Sequence, residues 1–176
     1  LFACDTGWNL NVAVQNVEKI TKGLNMPLHT EIVNWNEMKD LQLAFFKAQV
    51  PYQDIPQDHV IFASLYNYAA KNGIKYVLTG GNNSTECVRE PIEWVYQNDI
   101  RMLKDIHKKY GTIPLKTLPL CGMFKAHLYY RYMKGMKVVK PLDLIPYTKA
   151  DAIATLQREF GWEPYANQHF GSVFTR

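Results

Sequence analysis

The run Ile74-Lys75-Tyr76-Val77-Leu78 and its flanks constrain the fold more than any other stretch of this 176-residue chain. Asn72-Gly73 ahead of it is a left-handed cap that closes a helix, and Thr79-Gly80-Gly81 behind it is a turn. A short, largely apolar run set between those two signals has the pattern of a parallel strand covered on both faces. Parallel neighbours need crossover connections, so a chain built around such a strand should alternate strands with helices.

The rest of the sequence reads that way. Leu1 to Cys4 is a short apolar run ending in Asp5-Thr6-Gly7, the pattern of a strand feeding a loop. Leu10, Val14, Val17, Ile20 and Leu24 then recur at helical spacing, with Asn9 as the expected cap and Gly23, Asn25 and Pro27 as stop signals. Leu28 to Trp35 alternates as a second strand, and Asn36 to Val50 carries Met38, Leu41, Phe45 and Ala48 on one side of a helix that Pro51 ends. Asp58 is expected to precede a third helix, with Ile61, Leu65, Tyr68 and Ala69 on its buried face. Beyond the central strand, residues 82 to 97 read as loop or short helix, and 98 to 110 as a helix aligning Ile100, Leu103, Ile106 and Tyr110. Gly111 to Lys137 is irregular around Pro114 and Pro119, with a Tyr-rich helical piece from Phe124 to Met133. Val138-Val139 brings back a strand, and Thr148 with Asp151 opens a last helix that runs through Ile153, Leu156 and Phe160 to Gly161. The expected architecture is α/β, an open parallel sheet with helices on both faces, in one domain over residues 1–176. A content of 47% hydrophobic residues is enough to bury a core and excludes a disordered or low-complexity chain.

In sheets of this kind ligands gather at the C-terminal ends of the strands. Three such ends are therefore expected to line one crevice: Asp5-Thr6-Gly7-Trp8, Thr79 to Glu86, and Lys140-Pro141-Leu142. Thr79-Gly80-Gly81-Asn82-Asn83-Ser84 offers small side chains and accessible backbone N–H groups, the means to wrap phosphate oxygens; the same composition also makes an ordinary turn. Glu86 follows within reach, and a carboxylate beside a phosphate cradle suits Mg²⁺, a hard cation that prefers oxygen ligands. Lys140 adds a positive charge.

The charge is unevenly placed. Lys and Arg number 20 against 16 Asp and Glu, but residues 101–140 hold ten basic side chains and one acidic one. That segment is either a solvated cationic face or a surface for an anionic substrate, nucleotide or partner. Within it, Tyr129-Tyr130-Arg131-Tyr132-Met133-Lys134 interleaves aromatics and cations, which fits stacking on bases or sugars and equally fits a helix packing its tyrosines inward. Cys4, Cys87 and Cys121 form no CxxC pair and read as free thiols, Cys87 lying in the most functional-looking loop. His29, His59, His107, His127 and His169 stand apart from one another and from the cysteines, which argues against a zinc site. A Gly-x-Ser-x-Gly elbow is absent, and with it the usual hydrolase signature. No stretch has the length or apolarity of a membrane helix or a signal peptide, so the expected location is cytoplasmic, with no membrane partner.

Asp5-Thr6-Gly7-Trp8, the Thr79-Gly80-Gly81-Asn82-Asn83-Ser84-Thr85-Glu86 run, and Lys140-Pro141-Leu142 with Ile145-Pro146-Tyr147-Thr148-Lys149 resemble the N-acetyl sugar amidotransferases. These belong to the PP-loop ATP pyrophosphatase superfamily, and the resemblance extends over nearly the whole chain. It implies a Rossmann-like fold of the PP-loop type. It also implies an activity: conversion of an acetamido group on a nucleotide sugar, or a related precursor, to an acetamidino group during surface polysaccharide synthesis, such as that of a lipopolysaccharide O-antigen. The implied cofactors are ATP and Mg²⁺, and the implied partners are a glutaminase and a cyclase-like subunit that supply ammonia. By position, Asp5, Thr6 and Gly7 would border the adenosine. Thr79, Gly80, Gly81 and Asn82 would touch ribose or phosphates, Glu86 would bind Mg²⁺, and Lys140 would face the phosphates as the catalytic cation. A tRNA-modifying ligase or thiolase of the same superfamily and a non-catalytic nucleotide-binding module are the alternatives, with nucleic acid not the expected partner.

The superfamily's Ser-Gly-Gly-x-Asp-Ser loop and the cysteine pairs of the sugar amidotransferases do not occur in these residues. Because the chain opens on Leu1 in what reads as the inside of a strand, the expectation is a domain lacking its first strand and phosphate loop, inactive on its own.

Overall fold

The computed structural model describes residues 1–82 and 99–164. They form two compact units, one drawn from 1–32 and 145–164, the other from 33–82 and 99–144. Both are mixed α/β, and both contain a parallel strand pair, as the alternation of elements predicts. Among the described residues these are two separate two-stranded ladders.

In the first unit, β1 (Phe2–Asp5) pairs in parallel with β2 (His29–Ile32), Phe2 opposite His29 and Asp5 opposite Ile32. The crossover between them is α1 (Asn11–Gly23). Its N-cap is Leu10, without a side-chain cap; the expected cap, Asn9, instead turns its amide back to Asp5 Oδ1 at 3.3 Å. A second helix, which we number α5 (Lys149–Phe160), packs on α1. It starts as its sequence predicts, Thr148 Oγ1 accepting from the Asp151 N–H at 3.2 Å, and it ends on left-handed Gly161. Phe160 lies so close to Gly23 that a Cβ there would be 2.5 Å from its ring. Buried Asn16 closes the joint by exchanging two 2.8 Å hydrogen bonds with the Glu163 backbone.

The second unit is built on α2 (Trp35–Ala48), α3 (Ile55–Lys71) and α4 (Ile100–Tyr110). Asn34 caps α2 and Asp99 caps α4, each side chain accepting from two backbone N–H groups. Met38, Leu41, Ala44 and Phe45 of α2 are fully buried, and Leu103 and Ile106 of α4 pack toward them. The α3 helix starts three residues before Asp58, with Pro56 in its first turn. Its buried face is correspondingly Val60, Ala63, Ser64 and Ala69; Ile61, Leu65 and Tyr68 are only half-buried.

Following the left-handed Gly73, β3 (Tyr76–Leu78) pairs in parallel with β4 (Lys137–Val139), Val77 opposite Val138. Burial on both faces is not what β3 shows: Val77 is buried, while Tyr76 and Leu78 are 63% and 69% exposed. Lys125–Met133, the Tyr-rich piece, is a π-helix rather than an α-helix, and it closes with the Lys134 N–H donating to the Tyr129 carbonyl at 2.9 Å. Tyr130 from this segment joins Ala63, Ala69, Val77, Cys121 and Met136 in one buried cluster.

Candidate functional site

The C-terminal ends of β3 and β4 lie side by side. Beyond the ladder, the Thr79 N–H donates to the Val139 carbonyl at 3.0 Å, which sets the Thr79-Gly80-Gly81 turn against the start of Lys140. Thr79 Oγ1 then accepts from the Gly81 N–H at 3.2 Å and fixes the turn. Among the described residues, a Cβ built on Gly80 would meet nothing within 4 Å, which leaves room over this glycine. Lys140 is exposed and makes no ion pair among the described residues. Among the described residues, small residues, a free cation and room over Gly80 at two parallel strand ends form a surface that can accept an oxyanion. Asn82 follows, buried to 4% exposure.

The other expected site residues belong to the other unit or lie outside the described residues. Asp5, Thr6 and Gly7 belong to the other unit, where Asp5 Oδ1 accepts from the Gly7 N–H at 2.8 Å in a tight turn that holds Gly7 at φ 84°. Thr6 is buried there. Asn83, Ser84, Glu86 and Cys87 lie outside the described residues.

A second polar constellation holds the irregular stretch that follows α4. Asp40 accepts from the backbone N–H groups of Thr112 and Ile113, at 2.9 and 3.2 Å, from Thr112 Oγ1 at 2.5 Å, and lies 3.0 Å from His107 Nε2. Glu37, one turn earlier on α2, accepts from the N–H groups of Lys116, Thr117 and Leu118 at 2.9 to 3.1 Å and from Thr117 Oγ1 at 2.9 Å. His59 Nε2 accepts from the Cys121 N–H at 3.0 Å, so this histidine is structural. Burial alone would raise the Asp40 carboxyl, but the donors from Thr112, Ile113 and His107 outweigh it and bring it down to about 2. The same balance lowers Glu37, its donors being Thr117, Leu118 and Lys116. Nothing in local periodicity reveals these anchors. Their only sequence signal is that two carboxylates share a helix face with Met38, Leu41 and Phe45.

The interleaved tyrosines divide by role. Tyr130 is buried and its hydroxyl donates to Asn67 Oδ1, Tyr129 is half-buried with Lys134 Nζ 5.6 Å from its ring, and Tyr132 is exposed with the Arg131 guanidinium 5.9 Å from its ring. Cys4 and Cys121 form no disulfide among the described residues, and burial pushes the Cys121 thiol up. Among the described residues no group of His, Cys, Asp and Glu could hold a metal ion, and no helix is long and apolar enough to cross a membrane. No family model matches the chain, and neither does any curated protein or solved structure.

Proposed function

We propose that this chain is the nucleotide-binding part of an ATP-dependent amidotransferase that turns an acetamido group of a nucleotide sugar into an acetamidino group. The observation that carries the reading is the open Thr79-Gly80-Gly81 turn set beside Lys140 at the ends of two hydrogen-bonded parallel strands. The resemblance of these residues to the N-acetyl sugar amidotransferases supplies the chemistry. In this reading each ladder is a piece of a PP-loop-type parallel sheet, and the Ser-Gly-Gly-x-Asp-Ser loop that would hold the pyrophosphate is not among the 176 residues.

An amide oxygen is a poor leaving group until it carries AMP. The amide oxygen attacks the α-phosphorus of ATP, pyrophosphate departs, and ammonia then adds at the amide carbon and expels AMP. Negative charge grows on the departing pyrophosphate, and the charge of Lys140 with the Gly80 backbone N–H stabilises it. Gly80 leaves room for a phosphate oxygen to approach the main chain. Mg²⁺, when bound, would neutralise phosphate charge, and Glu86 is the carboxylate assigned to it. Asp5, Thr6 and Gly7 are assigned to the adenosine, and a glutaminase with a cyclase-like subunit to the ammonia supply.

The test is AMP formation by the full-length protein given ATP, Mg²⁺, an acetamido nucleotide sugar and ammonium. AMP that depends on the sugar supports the reading. No AMP under these conditions, with salt-sensitive binding of bulk tRNA instead, would replace it with a tRNA-modifying enzyme. Glu86→Ala should abolish Mg²⁺-dependent turnover and leave the fold intact.

A further inference from the structure

A cavity of about 690 Å³ opens between α3, the π-helix and β4. Its aromatic wall is Tyr66 and Tyr130, whose ring centroids are 5.7 Å apart, continued by Tyr132; its cationic rim is Arg131 and Lys137, with His127 beside them. Val138 and Val139 form its floor along β4, one residue short of Lys140. No carboxylate lines it among the described residues, and neither Arg131 nor Lys137 is paired with one. The volume falls within the range of small-molecule sites. The wall also comes from an unusual element: π-helical turns are rare and concentrate at functional sites, and this one supplies Tyr130, Arg131 and Tyr132 together.

We infer that this cavity binds a nucleoside diphosphate, the base stacked on the accessible rings of Tyr132 and Tyr66 and the diphosphate held by Arg131 and Lys137. Planar apolar surface and unpaired cations in one concavity select a ligand that is both aromatic and anionic. The adenine nucleotide is assigned to the strand ends, so the ligand here is the nucleotide half of the acceptor, an identification that rests on the reading above. The position fits that role, because β4 runs from the cavity floor directly to Lys140.

The experiment is equilibrium binding of UDP to the full-length protein, with uridine and inorganic pyrophosphate as comparison probes. UDP should bind more tightly than either probe. Arg131→Ala and Lys137→Ala should each weaken UDP about tenfold, the scale of one charge-assisted contact. Arg131→Lys should lose less, and Tyr132→Leu should weaken UDP without affecting pyrophosphate. All three positions are exposed, so circular dichroism should show the fold unchanged. Pyrophosphate binding as tightly as UDP, or UDP affinity indifferent to the Arg131→Ala, Lys137→Ala pair, overturns the inference. The two claims separate cleanly. ATP binding that fails while UDP binding responds to Arg131 and Lys137 overturns the amidotransferase reading alone, and the converse pattern overturns the cavity assignment alone.

Discussion

The stretch from Gly111 to Cys121 and the turn at Thr79–Gly81 are both irregular backbone in the same unit, yet their polar groups have opposite fates. In the first, successive backbone N–H groups end on Asp40, Glu37 and His59, side chains that α2 and α3 present from inside the core. In the second, Gly80 and Lys140 are exposed among the described residues. A loop whose donors are largely consumed internally is scaffold, because those hydrogen bonds already hold the chain in place. The turn spends the Thr79 and Gly81 N–H groups on its own shape but leaves the Gly80 N–H and the Lys140 cation without a partner among the described residues, available for a ligand. Charge alone does not separate the two, since buried Glu37 and Asp40 serve structure while exposed Lys140 is the candidate for chemistry.

The contrast breaks most readily at Asp40. Asp40→Ala removes the acceptor for two backbone N–H groups and for His107, and should cost about 3 kcal/mol in urea unfolding. Gly111→Ala attacks the same joint by shape: its Cβ would sit 2.6 Å from the His107 carbonyl oxygen, for a loss of about 1–3 kcal/mol.

Acid should weaken the clamp without any substitution. Asp40 has its folded value lowered from 3.8 to about 2, so the stability it contributes is complete above pH 3.8 and is lost as pH falls toward 2. Glu37 is lowered in the same direction and adds to the loss. Asp58 behaves oppositely, pushed up to about 6 by burial and by neighbouring Asp54, so its contribution declines as pH rises from 3.8 through 6. Thermal melts from pH 2 to 7 should therefore rise steeply to about pH 4, and Asp40→Asn should flatten that limb while leaving the shallower decline toward neutral pH.

At the strand ends the smallest change in stability should accompany a large change in binding. Gly80→Ala meets no atom within 4 Å among the described residues, and should shift unfolding by less than about 0.5 kcal/mol while weakening ATP.

Elements defined by local chemistry were legible in the sequence. The last helix starts at Thr148 with Asp151 and stops at Gly161 as its capping residues dictate, and Gly73 takes the left-handed conformation its Asn-Gly pair implies. Features set by distant partners were not. Asn9 gives its amide to Asp5 rather than to the helix it precedes. The carboxylate clamp joins residues more than 70 positions apart, which periodicity cannot reach. Exposure of Tyr76 and Leu78 likewise depends on what covers the ladder, and the apolar run alone does not report that. Of the candidate site, Thr79, Gly80 and Lys140 could be placed together from strand order alone, whereas the cavity beside β4 depends on a π-helix that the Tyr-rich pattern does not distinguish from an α-helix.

The central claim is that the Thr79–Gly81 turn and Lys140 bind the phosphates of ATP. Its most direct test is the dissociation constant of MgATP for the full-length protein and for Gly80→Ala and Lys140→Ala, measured alongside urea unfolding. Both substitutions should weaken MgATP about tenfold or more with unfolding unchanged. Affinity equal to that of the unmodified protein in both variants would contradict the account.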